Sequence, residues 1–110
     1  MARLRWTAKA VADLEAIREF IGRSSPRYGA VVASRLARAC TVLRRHPASG
    51  RVVPELERPD VRELIRGSYR IVYRLAGDPD APDAVAEVLT VFRASRQFPA
   101  AQELGVPPRQ

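Results

Sequence analysis

The chain has 110 residues, the size of one domain and enough to bury a core without metals or disulfides. Hydrophobic residues make up 46% and charged residues 28%, a globular rather than disordered balance. The formal net charge of +7 rests on nineteen basic side chains, of which only Lys9 is a lysine, and it favours nucleic acid, acidic protein or an acidic membrane surface as partner. The single cysteine, Cys40, excludes an internal disulfide and a zinc cluster, and its neighbours Leu36, Ala37 and Leu43 mark it as a small buried residue. No run approaches the roughly 18 apolar residues of a membrane helix. Met1-Ala2-Arg3 is not followed by the apolar stretch of a signal peptide, so the expected location is the cytoplasm.

Arg3, Leu4, Arg5 and Trp6 alternate basic and apolar, the pattern of a short first strand. Thr7 is placed to cap the helix that follows, with Asp13 and Glu15 early enough to soften its dipole. Ala10, Leu14, Ile17 and Ile21 recur at helical spacing and form one apolar stripe. Gly22 and Ser24-Ser25-Pro26 end that helix, and Ser25 caps a second one with Pro26 at its first position. The second stripe runs through Ala33, Leu36, Ala37, Cys40 and Leu43 and stops at His46-Pro47, because proline disfavours helical geometry in the residue before it. The two helices make an antiparallel hairpin, with Arg35, Arg38, Arg44 and Arg45 on a solvated outer face. Residues 48–60 read as a loop containing Gly50, Pro54 and Pro59.

Arg62 to Leu75 is the central feature. Two strand-forming runs flank Gly67-Ser68, which suits a two-residue type II′ turn because its first central residue needs a positive φ. That turn predicts the register Arg66 opposite Tyr69, Ile65 opposite Arg70, Leu64 opposite Ile71, Glu63 opposite Val72 and Arg62 opposite Tyr73. One face then carries Arg62, Leu64, Arg66, Tyr69, Ile71, Tyr73 and Leu75 and should pack on the helices. The other carries Val61, Glu63, Ile65, Arg70, Val72 and Arg74 and is expected to stay open, with Arg70 and Arg74 presented to a polyanion or an acidic partner. An acidic turn at 77–83 leads into a last strand, Val85 to Phe92. Residues 1–97 form the domain, and 98–110, rich in proline and without periodicity, form an extended or partly disordered tail. The order β-α-α-β-β-β indicates an α+β domain: an N-terminal strand and a helical hairpin packed on a largely antiparallel, mostly four-stranded sheet.

Enzyme motifs are sparse. His46 is the only histidine and sits where it would interact with a helix C-terminus rather than in a catalytic triad. No His, Cys or carboxylate cluster has metal-ligand spacing, and no glycine-rich phosphate loop is present, so neither a metal nor a cofactor is expected. Asp78, Asp80 and Asp83 lack the terminal Glu of a calcium loop and are interrupted by Pro79 and Pro82. What remains is arginine: Arg70 and Arg74 on one strand, Arg93 and Arg96 at and beyond the end of the last. Arginine grips phosphate or carboxylate through a fixed fork of donors but cannot readily serve as a general base. Alternatively, Arg70 or Arg74 pairs with Glu63 across the hairpin or with Glu87 on the next strand.

Gly50-Arg51, Pro54-Glu55, Arg62-Glu63-Leu64, Tyr69-Arg70-Ile71-Val72-Tyr73, Val91 and Arg96, preceded by Trp6-Thr7, Ala12-Asp13-Leu14 and Ile17, resemble the RelE/ParE superfamily of bacterial toxin–antitoxin toxins over residues 3–97. The resemblance implies a growth-inhibiting toxin neutralised by a cognate antitoxin laid along its helices and sheet, with operator DNA reached only through that antitoxin and no membrane partner. RelE-like members cut mRNA on the ribosome with a basic sheet and usually a C-terminal tyrosine or histidine, whereas ParE-like members poison DNA gyrase. Arg70 matches the sheet arginine of the nucleases and Arg96 the arginine after the last strand. The nuclease lysines are replaced by Val61 and Glu63, no tyrosine or histidine follows Tyr73, Phe98 cannot transfer a proton, and Arg93 stands where ParE-like sequences often have histidine. Losing proton-transfer groups removes much of the roughly 10²–10⁴-fold that they supply, which favours the ParE-like, gyrase-directed branch without catalysis of its own. Two readings stay beside it. One is a ribosome-dependent mRNA endonuclease using Arg70 and Arg96; the other is a non-toxic antitoxin-binding module. Candidate contacts for target or antitoxin are Arg51, Glu63, Arg70, Arg74, Arg93 and Arg96.

Overall fold

The computed structural model of the protein describes residues 1–106. It contains β1 (Arg3–Trp6), α1 (Ala8–Gly22), α2 (Pro26–Ala39) continued by a 3₁₀ segment (Cys40–Arg44), β2 (Arg51–Val52), β3 (Val61–Arg66), β4 (Tyr69–Ala76), β5 (Val85–Arg93) and a short 3₁₀ turn (Ala101–Leu104). The strands form one sheet in the order β1-β5-β4-β3-β2, parallel only between β1 and β5. This is the expected α+β arrangement with one strand more. The addition, β2, is two exposed residues long and too short to show any alternation.

The local signals explain the elements. Thr7 is extended, and its Oγ accepts from the N–H of Ala10 at 3.1 Å while the hydroxyl hydrogen is aimed at the carbonyls of Val88 and Leu89. The cap therefore also ties the start of α1 to β5. Ser25 caps α2 through the N–H of Tyr28 at 3.2 Å, with Pro26 at the first helical position. The helices approach closely at Gly29, where a Cβ would fall 2.4 Å from the carbonyl oxygen of Arg18. Gly67 has φ 56° and Ser68 is not left-handed, as a type II′ turn requires, and every predicted β3–β4 pair is observed.

Asp13 does not act on the dipole of α1; it lies beyond the first turn and bridges to the sheet. β5 pairs Thr90 with Val72 and then Val88 with Tyr73, leaving Leu89 as the extra residue of a β-bulge. The bulge turns both Thr90 and Val91 toward the helices. The Thr90 hydroxyl and the Val91 N–H both donate to Asp13 Oδ2, and Lys9 Nζ lies 3.3 Å from the other oxygen.

The sheet has a core on each face. The helix side buries Ala10, Leu36, Cys40, Leu43, Leu64, Ile71, Tyr73, Ala86 and Val88, as the face assignment predicts. Tyr73 is fully buried there, with its hydroxyl donating to Pro47 O at 2.7 Å and accepting from Gly50 N at 2.9 Å. The opposite face is not open. Val61, Val72, Leu89 and Phe92 are covered by Val53 and Leu56 from the β2–β3 loop and by Phe98, Leu104 and Val106 from the C-terminal segment. Residues 98–106 thus fold back onto the sheet instead of trailing away. They pack through single side chains set apart by turn residues, which leaves no period to read. The last four residues of the expected tail, 107–110, lie outside the described residues.

Candidate functional site

Arg70, in the middle of the second face, is 8% exposed. Its Nε donates to Glu63 Oε1 at 2.6 Å, and its two terminal nitrogens grip Glu55 bidentately at 2.7 and 2.8 Å. Glu63 is 1% exposed and spends its other oxygen on Arg51 Nε at 2.7 Å. The guanidinium lies 5.5 Å from the ring centre of Phe92 and 5.0 Å from that of Phe98, and the two rings meet edge to face at 82°. Four segments converge on this one cation: the β2–β3 loop, β3, β5 and the C-terminal turn. The hydrogen bonds that Arg70 donates to Glu55 are the largest influence raising the Arg70 pKa further above its already high value, and the same bonds hold the Glu55 carboxyl below its ordinary range.

The expected presentation of Arg70 and Arg74 on an open cationic sheet is therefore overturned. Arg70 makes the Glu63 pair weighed from the sequence, but Glu55 and the phenylalanine cover, fifteen and more residues away, carry no local signal. Arg74 takes Asp60 at 3.4 Å rather than Glu63 or Glu87. Asp60 also accepts from Arg58 at 2.9 and 3.0 Å, and chiefly through that residue its pKa is lowered. Glu87 faces Arg5 at 3.8 Å instead. Arg70 and Glu63 thus form a buried pair, with the exposed Arg51 on the other oxygen of Glu63, while Arg74 belongs to a separate pair at the rim.

Arg93 and Arg96 behave differently. Both are exposed, and among the described residues neither has an ion pair or a side-chain hydrogen bond. They edge a groove of about 330 Å³ on the helix side, whose lining includes Ala16, Ile17 and Phe20 of α1, Tyr69 of β4 and Val91 of β5. Phe20 is 60% exposed at its mouth. Sequence reading placed the two arginines but missed this apolar floor, because Phe20 falls outside the stripe of Ala10, Leu14, Ile17 and Ile21 that pointed inward.

Two groups that could transfer a proton, Tyr73 and Cys40, are withdrawn into the helix-side core. Burial raises the Tyr73 phenol, whose hydroxyl is already engaged with backbone, and pushes the Cys40 thiol up to about 12. His46 is exposed beyond the 3₁₀ segment. Among the described residues no three His, Cys, Asp or Glu side chains converge as metal ligands, and no helix is long and apolar enough to cross a membrane.

Residues 4–98 match the family model described as the ParE toxin of the type II toxin–antitoxin system parDE. The chain belongs to the ParE toxin family. Among its relatives, toxin RelE2 of Caulobacter vibrioides is 42% identical over 97 residues, covering 87% of this chain and 99% of that protein. The putative toxin Y4kP of Sinorhizobium fredii is 35% identical over 99 residues, covering 88% and 93%. A solved chain of the chromosomal ParDE system from P. aeruginosa superposes with a TM-score of 0.67 at 26% identity, covering 86% of this chain and 98% of that one. This ParE-family chain is therefore a toxin of the RelE/ParE superfamily, and a toxin of a type II system has a cognate antitoxin as partner.

Proposed function

We propose that the protein is a gyrase-directed, ParE-like toxin that acts in the bacterial cytoplasm by binding its target rather than by cutting RNA. The observation that carries this reading is the state of Arg70. It is the residue that matches the sheet arginine of ribosome-dependent nucleases, yet here its donors are spent on Glu55 and Glu63 and its face lies against Phe92 and Phe98. A cation so engaged is a poor clamp for a scissile phosphate, since freeing it would strip Glu55 of its partner and leave the buried Glu63 with Arg51 alone. For the antitoxin, the groove at Phe20, Ile17 and Tyr69 edged by Arg93 and Arg96 suits an acidic segment with apolar anchors.

A ribosome-dependent mRNA endonuclease is the second reading, favoured by the 42% identity to a protein named toxin RelE2. It would have to work from exposed Arg96 rather than Arg70. Induced expression without antitoxin separates the two. The first reading expects gyrase-linked DNA breaks, altered plasmid supercoiling and a DNA damage response with mRNA intact; cleavage at ribosome-bound codons would contradict it and support the second. Unimpaired growth with a folded protein would contradict both.

A further inference from the structure

Arg51, Arg70 and Arg74 are paired with carboxylates within the fold, so the excess positive charge rests on other arginines. Between Glu19 and Glu55 the sequence has no Asp or Glu, and seven arginines fall in that interval. Most of it is α2 and its 3₁₀ continuation. α2 points Gly29, Leu36 and the following Cys40 and Leu43 into the fold. At about 100° per residue, Arg27, Ser34 and Arg38 project within about 20° of the direction opposite Leu36. Arg35 flanks them, and exposed Arg44 and Arg45 carry the row onward. Among the described residues none of these five guanidinium groups has an ion pair or a side-chain hydrogen bond. The row is about 30 Å long, taking the usual rise of α and 3₁₀ helix. Asp80 shares a hollow with Arg44 and Arg45 without pairing to either, and Glu15 and Glu19 of α1 share one with Pro26 without pairing to Arg27.

We propose that this ridge, from Arg27 to Arg45, is a sequence-independent docking surface for the backbone of double-stranded DNA. Its chemistry excludes the neighbouring possibilities. Single-stranded nucleic acid is held by aromatic platforms interleaved with charge, and here the spacers are Ala30, Ser34 and Thr41. An acidic protein would need apolar anchors within the row, and the large hydrophobic side chain that α2 exposes, Tyr28, lies about 80–100° around the helix from Arg27 and Arg38. Guanidinium forks match phosphate oxygens, and such contacts position a protein on the duplex without reading its sequence. Small spacers let a duplex lie against the helix, and rigid helical spacing orders the arginines in advance of binding. The surface is separate from the groove at Arg93 and Arg96. It therefore adds a direct DNA-binding face to a protein whose resemblance implies DNA reached only through its antitoxin, and it holds whichever target the toxin poisons.

The test is binding of the purified full chain to a random-sequence DNA duplex about two turns long, followed by fluorescence anisotropy from about 50 to 200 mM salt. Each phosphate that an arginine neutralises should contribute about 0.9 to the slope of log affinity against log salt. The triple variant R27A/R38A/R45A should therefore flatten the slope by roughly 2 to 3, whereas R18A/R93A/R96A, with the same change in net charge, should shift it by less than about 1. Replacing the same three ridge residues with lysine should keep the slope, which guards against a folding artefact. No measurable binding at the lowest salt overturns the proposal. So does equal flattening of the slope in the two triple variants, or equal or tighter binding of single-stranded DNA, duplex RNA or polyglutamate of matched charge.

Discussion

The two faces of the sheet are covered in different ways. On the helix side, long amphipathic elements supply stripes of apolar residues, and the core is aliphatic around one engaged tyrosine. On the other side no α-helix is present among the described residues, and a loop and a returning C-terminal segment close over a smaller core, with Arg70 and Glu63 buried and Glu55 exposed at its rim. In a core assembled from stripes, truncating one side chain costs about 2–5 kcal/mol according to the cavity it leaves, with no charge exposed to an apolar site. A cover pinned by one cation depends on that cation's partners, because a buried charge deprived of a partner costs far more than the pair contributes.

The largest effect that would break this comparison is expected at Glu63. Glu63→Ala leaves the buried Arg70 guanidinium with Glu55 as its remaining carboxylate and should cost about 3–5 kcal/mol, read as a lower denaturant midpoint at constant m. The double variant Glu63→Leu/Arg70→Met should lose less than Glu63→Ala alone, because no uncompensated charge remains. A single-variant cost below about 1 kcal/mol would mean that the network is wet and loosely held.

Next come two substitutions on the helix side. Gly29→Ala puts a methyl group against the Arg18 carbonyl and should cost about 1–3 kcal/mol by forcing the helices apart. Tyr73→Phe removes the hydroxyl that serves the Gly50 N–H and the Pro47 carbonyl and should cost a similar 1–3 kcal/mol or so. Phe98→Ala sharpens the contrast with a smaller loss, about 1–2 kcal/mol. Hydrogen exchange should then quicken in residues 98–106 while α1 and α2 stay protected; equal loss of protection on both faces would show that the two cores are one cooperative unit.

The smallest expected effect is that of pH. Glu55 and Asp60 both have folded-state pKa values below their ordinary values of 4.5 and 3.8. Their contributions are therefore present above those ordinary values and are lost as pH falls through the lowered ones. Both groups belong to the β2–β3 connection, so acidification below about pH 4 should loosen that side first. Chemical shifts of Val53 and Leu104 should move before those of Leu36 and Ile71. A simultaneous change would contradict the asymmetry.

These two modes of closure also explain what could be read in the sequence. Thr7, Ser25-Pro26 and Gly67-Ser68 act through backbone geometry within four residues, so the caps and the hairpin register were legible. The helix-side core followed from periodicity. The second face was not legible because its parts carry no period: Glu55 meets Arg70 from fifteen residues away, Phe98 and Leu104 are isolated apolar positions, and β2 is two residues long. Arg70 looked exposed because alternation gives the face of a side chain but not what covers that face. Alternation named the arginines of that face but not which of them the fold leaves available.

Closure of the sheet face over the Arg70 guanidinium is the central claim, and proton exchange at its Nε–H measures that directly. Locked between Glu63, Glu55 and Phe98, this proton should exchange at least about a hundredfold more slowly than the Nε–H of exposed Arg38 in the same sample. Equal rates at the two sites would mean that the sheet face opens freely, and Arg70 would return as a phosphate-binding residue.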